Sequence, residues 1–206
     1  MCYKKITYAL VIVAWLFSIL SFAYMPDVMV SHWDSFGNAN GSMPKILGVL
    51  MMPILSVLLL LLLKFLPRMD PLYKNIQTFK EDFERFIASL MGFLLFVYIL
   101  TLIWNLGVRF NLVRFLAVDF AFLLYELSVL LPKTKRNYTI GIRTPWTLAD
   151  DRVWQKTHVL GEKVFRILAV LSLFGMLFPH NLLWFLAPMI IAVLFLFFYG
   201  CFIFKR

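Results

Sequence analysis

The chain has 206 residues, of which 62% are hydrophobic, and a formal net charge of +9. A soluble domain is about 45–50% apolar, so this composition excludes an ordinary soluble protein, and the longest polar stretch, about 30 residues, is too short to bury a core of its own. The expected class is an all-α integral membrane protein forming one membrane domain over residues 1–206.

Hydropathy marks six spans, at 6–25, 46–63, 86–104, 112–131, 164–178 and 182–204. Lys4, Lys5 and the Ser21-Phe22-Ala23 stretch faintly suggest a signal peptide. The apolar run is long enough to span, and it is read as an uncleaved first helix. Pro53 lies inside the second span. Its ring frees a carbonyl one turn back, which neighbouring helices are expected to satisfy. The fifth span is short unless its helix begins earlier. Pro179-His180-Asn181 is expected to turn the chain tightly into the sixth.

Basic residues orient these spans. With the N-terminus in the cytoplasm, seventeen Lys and Arg fall inside, and three, Lys45, Arg109 and Arg114, fall outside. Lys and Arg accumulate on cytoplasmic loops, so both termini are expected there. Residues 26–45 then form one long outer loop, and 132–163 a long cytoplasmic loop between helices 4 and 5. The positive charge is therefore topological, and it implies the lipid bilayer as partner rather than direct nucleic-acid binding. Cys2 and Cys201 lie near opposite ends of the chain and suggest neither a disulfide nor a metal site.

The outer loop, MPDVMVSHWDSFGNANGSMPK, holds Asp27, His32 and Asp34 without metal-ligand spacing. It reads as a turn-rich loop. Pro26 stops the first helix, Trp33 anchors at the interface, and Gly37 and Asn40-Gly41 supply turns with positive φ. Asn40-Gly41-Ser42 fits a glycosylation acceptor. The fourth span carries Asp119 and Glu126, seven residues apart and so on one helix face. Carboxylates at membrane depth are costly and should face the bundle rather than lipid. Arg114, Tyr125 and Tyr98 are expected partners. Two readings stay open, a functional one, as a proton or cation relay or a polar ligand cavity, and a structural clamp between helices. No nucleophile, phosphate-loop or metalloprotease motif occurs, so neither catalysis nor a metal or other cofactor is expected.

Between the fourth and fifth spans runs KRNYTIGIRTPWTLADDRVWQKTH, from Lys135 to His158. Gly141 and Pro145 forbid a continuous helix. Thr147 and Asp150 read as the N-cap and third residue of a helix running from Leu148 towards Gly161. Val153, Trp154, Thr157 and Leu160 form its apolar stripe, and Trp154 and His158 touch at i, i+4. An interfacial amphipathic helix feeding the fifth span is expected. Arg143 and Trp146 read as a stacked or carboxylate-paired surface for a partner. The alternative is a plain connector held by lipid headgroups.

This segment resembles the signature of the SdpI family of membrane immunity proteins, at Asn137, Gly141, Arg143, Thr144, Pro145, Trp146, Thr147, Trp154, His158 and Gly161. The outer loop resembles that family more loosely, at Pro26, His32, Trp33, Gly37 and Lys45. The resemblance implies immunity to a secreted, membrane-active peptide toxin met by the outer loop. It also implies signalling, by holding a cytoplasmic transcriptional repressor on the signature segment. A small-solute or ion-coupled transporter using Asp119 and Glu126 is the competing expectation.

Overall fold

The computed structural model describes residues 2–174, 177 and 181–205, with side chains left out at 181–185. The helices are α1 (Cys2–Ser21), α2 (Lys45–Phe65), the short α3 (Tyr73–Gln77), α4 (Lys80–Asn105), α5 (Leu112–Leu130), the short α6 (Pro145–Ala149), α7 (Asp151–Phe174) and α8 (Asn181–Phe204). Between α1 and α2 lie strands β1 (Val28–Trp33) and β2 (Ala39–Pro44). The turn expected at Pro179-His180 lies outside the described residues, as does most of the fifth span beyond Phe174.

Among the described residues five helices are long and apolar enough to cross a membrane: Cys2–Tyr24, Lys45–Met69, Lys80–Asn105, Leu112–Lys133 and Leu186–Phe204. They match the first four expected spans and the sixth. Ile19, Leu20 and Ile191 are about two-thirds exposed, a cost in water and a match to lipid. The fold is that of a mostly helical, multi-pass membrane protein. The part of the expected fifth span up to Phe174 lies within α7, which is not among the five. The first sixteen residues of that helix carry Asp151, Arg152, Lys156, Glu162, Lys163 and Arg166, and only its last turns are apolar.

Helix α4 packs against α1 and α2, α5 packs against α7 and α8, and α4 meets α5 between the two groups. One core joins Leu60, Phe83, Ile87, Met91 and Leu94, and another joins Leu124, Phe165, Leu168, Ala169 and Leu196. The proline in α2 is accommodated as expected. Pro53 has no N–H for the carbonyl of Val49, and that oxygen accepts instead from Tyr98 Oη at 2.8 Å and Ser18 Oγ at 3.3 Å. Tyr98 is thus engaged by backbone, not by a carboxylate.

The loop over 26–45 departs from the all-α expectation. It is an antiparallel hairpin pairing Met29 with Met43 and Val30 with Ser42, with an irregularity beside Ser31. Gly37 has φ +86° in its turn. Gly41, expected in a turn, instead sits in β2, where an added Cβ would lie 2.9 Å from His32 Cβ.

Candidate functional site

Two polar regions stand at opposite ends of the bundle, and the two carboxylates lie between them. At one end the signature segment folds back on itself as a cap. Asn137 organises it: its Nδ2 donates to the carbonyls of Lys135 (2.8 Å) and Ile140 (2.9 Å), and its Oδ1 accepts from the N–H groups of Thr139 (2.9 Å) and Ile140 (2.6 Å). All four hydrogen-bonding positions of the amide are filled. Gly141 follows with φ +121°, and a Cβ there would stand 2.5 Å from His158 Nε2. The bare glycine lets the Ile142 N–H reach His158 Nε2 at 2.9 Å, while His158 Nδ1 donates to the Trp154 carbonyl at 2.7 Å. The imidazole is therefore neutral, with its proton on Nδ1. Burial pushes it down to about 4, against the smaller opposing effect of the Trp154 carbonyl. Trp154 and His158 stack as expected, with centroids 4.1 Å apart. Trp154 Nε1 donates to the Thr134 carbonyl at 3.0 Å.

Helix initiation differs from the expectation. Thr144, not Thr147, is the N-cap, and Pro145 takes the first helical position of α6. Thr147 completes a capping box: its hydroxyl accepts from the Thr144 N–H at 2.8 Å and donates to the Ile142 carbonyl at 2.8 Å. The chain breaks at Asp150, whose Oδ1 accepts from the N–H groups of Arg152 and Val153 to start α7. Those N–H groups, Val153 first, hold the Asp150 carboxyl below its ordinary range. The apolar stripe of α7 is covered by protein rather than lying in the interface: Val153, Thr157 and His158 have no exposure, and α5 packs against the helix.

Burial sorts the residues expected to bind a partner. Asn137, Thr144, Thr147, Trp154 and His158 are buried, so they shape the cap. Arg143 and Pro145 are exposed, and Gly141 and Trp146 are half-buried. Arg143 and Trp146 do not stack on each other: Arg143 donates to the Tyr138 carbonyl, and Trp146 meets Phe197 of α8 edge-on at 4.8 Å. Residues unmarked by the sequence reading fasten the cap. Asp70 accepts from the Tyr138 N–H (2.8 Å) and the Thr139 hydroxyl (2.6 Å). Asn75 donates to the Arg136 carbonyl (2.7 Å).

At the other end the hairpin stands over a cavity of about 400 Å³. His32, Trp33 and Asp34 line it, and Met43, Met51 and Met52 give it an adaptable apolar wall. Two asparagines pin the hairpin. Asn105 accepts from the Val30 N–H (2.8 Å) and donates to the Val30 carbonyl (2.9 Å), imitating a strand neighbour. Asn111, the N-cap of α5, donates to the Phe36 carbonyl (2.6 Å). Trp33 packs edge-on against Trp104 at 5.6 Å, and Arg109 lies 3.6 Å over the Trp104 ring. The Asn38 N–H, chief among several donors, holds the Asp34 carboxyl below its usual range. Pro26 precedes the hairpin, and Lys45 lies 3.4 Å from Asp27. Among the described residues, no three His, Cys, Asp or Glu side chains gather as for a metal.

Asp119 and Glu126 are both buried, away from lipid as expected. None of the expected partners holds them. Arg85 of α4 grips Glu126 bidentately, at 2.8 and 2.6 Å, and Asp119 Oδ2 has no partner among the described residues.

Comparison with known proteins falls on these same regions. Residues 133–200 match the model of the SdpI/YfhL protein family, which covers the cap, α7 and most of α8. Residues 9–57 match a domain of unknown function (DUF1648), which covers the hairpin and parts of the helices flanking it. The chain is 29% identical over 177 residues to Immunity protein SdpI of Bacillus subtilis (strain 168), spanning 82% of this chain and 81% of that protein. No solved structure matches the chain.

Proposed function

We propose, from the premise that this chain is a relative of the SdpI/YfhL protein family, that it is a non-catalytic immunity protein of the cell membrane protecting against a secreted, membrane-active peptide toxin. The observation that carries this is the similarity to Immunity protein SdpI over most of both chains. In this reading the bundle crosses the membrane six times with both termini cytoplasmic, in keeping with the distribution of basic residues. The hairpin and its cavity face outward and meet the toxin through His32, Trp33 and the apolar wall beneath. The cap faces the cytoplasm and offers Tyr138, Arg143, Pro145 and Trp146 to a transcriptional repressor, without touching nucleic acid itself. His158 supports the absence of catalysis, since backbone groups engage both its ring nitrogens.

The transporter reading with Asp119 and Glu126 as paired carriers is less favoured, because Arg85 already neutralises Glu126. Immunity is tested by replacing the relative in Bacillus subtilis with this chain and scoring survival under toxin challenge. Survival above the deletion strain is expected. Equal killing with and without the chain overturns the reading for that toxin. If the cap rather than the hairpin recruits the repressor, Arg143→Ala should leave survival intact and change only reporter output.

A further inference from the structure

Asp119 stands seven residues into α5, about 10 Å along the helix from its start at 1.5 Å per residue. The residue is 92% buried, the complement of its 8% exposure, and Oδ2 lacks a partner among the described residues. The elements packed against α5 are α4, α7, α8 and the Leu131–Lys133 turn that follows it, where Lys133 pairs with Asp82 at the cap end. On α4 the charged residues Lys80, Glu81, Asp82, Glu84 and Arg85 all lie in the first two turns, at the cap end. On α7 the level of α5 is fixed by Ser172, whose hydroxyl donates to the Ala117 carbonyl at 2.8 Å. The nearest charge on that helix, Arg166, lies six residues before Ser172 and pairs with Glu162 at 2.7 Å. Helix α8 has no charged residue from Asn181 to Phe204. Arg114, on α5 itself, is exposed, and Glu126 is held by Arg85.

A carboxylate in such a place loses hydration and finds, among the described residues, neither counter-charge nor donor, at a cost of several kcal/mol. A carboxylic acid avoids most of that cost. A metal cation would need several oxygen ligands, and the described residues gather no such set. We propose that Asp119 is a proton-binding site inside the membrane, holding its carboxyl as the neutral acid in the resting protein and exchanging that one proton when water reaches it. Glu126, two helical turns away, is already clasped by Arg85 and does not share this role.

Dicyclohexylcarbodiimide, an apolar reagent, tests the assignment. The acid O–H adds across one C=N bond of the reagent: oxygen bonds the central carbon, the proton passes to nitrogen, and no atom is lost. The full chain in proteoliposomes is treated, and the adduct is located by mass spectrometry. Modification at Asp119 is expected in the wild type and in Glu126→Gln, with loss of that adduct in Asp119→Asn and a decline as the pH is raised. A water-soluble carbodiimide should modify the fully exposed Asp27 and spare Asp119. An unmodified Asp119 under the apolar reagent, or equal labelling by both reagents, overturns the proposal. Because the adduct is located on the wild-type chain, the test stands even if Asp119→Asn fails to fold. A failed immunity assay would leave it untouched.

Discussion

At the scale of single residues, the cap depends on one ring staying uncharged. Protonating His158 Nε2 would destroy the bond from the Ile142 N–H and set two donors against each other. Its ordinary value is 6.5, and the folded protein lowers it to about 4. The unfolded chain therefore binds a proton first as the pH falls. The contribution of His158 is complete above pH 6.5 and is lost progressively towards pH 4, by about 3 kcal/mol at 1.36 kcal/mol per unit. Thermal unfolding in detergent from pH 7.5 to 4 should show this decline, and His158→Gln should flatten it while lowering the midpoint at neutral pH. Wild type and variant with parallel profiles would mean that other groups govern the acid response. The Trp154–His158 contact was legible from i, i+4 spacing. Its meaning was not: the sequence marks His158 as one conspicuous residue among several, and only folding shows it closed to partners. Asp70 was invisible for a related reason, since its two acceptor roles join residues 68 and 69 positions apart.

At the scale of elements, α2 survives its proline because two other helices repair it. Removing one hydroxyl should cost about 1 kcal/mol, a typical net hydrogen bond. Removing both leaves the Val49 carbonyl with neither Tyr98 nor Ser18. Tyr98→Phe and Ser18→Ala are therefore expected to destabilise modestly alone and by more than their sum together, measured by denaturant unfolding in detergent. Strict additivity would mean that the carbonyl is satisfied by some other group. Hydropathy located the long helices well because lipid-length apolar runs leave little alternative. It missed the hairpin, whose Val28-Met29-Val30 run alternates exposed, buried and half-buried residues, a short period-2 signal masked by the turn-forming residues that follow. It also misplaced the start of α6: Pro145 at the first helical position was the usable sign that the residue before it, Thr144, is the cap.

At the scale of the whole molecule, the two ends of the bundle are chemically unlike, and topology decides which meets the outside. In a Cys2→Ser, Cys201→Ser background, Ser42→Cys on the exposed side of β2 should react with a membrane-impermeant maleimide in intact cells. Lys135→Cys in the cap should react only after lysis. The opposite pattern would invert the proposed assignment of toxin and repressor. Charge counting predicts this orientation from the sequence alone. The pairing of Arg85 with Glu126, 41 positions apart, was not readable, since several basic residues competed for the same acid on equal terms.

Helix α4 carries Asn105 at its last residue and Arg85 in its second turn. The first grips β1 and the second grips α5. Twenty residues separate them, about 30 Å at 1.5 Å per residue, and no proline interrupts the rod. Whatever tugs the hairpin therefore pulls a stiff strut whose far end is clasped to α5 near the base of the cap, so displacement at one surface arrives at the other as a shift along the axis rather than dissipating in a bend.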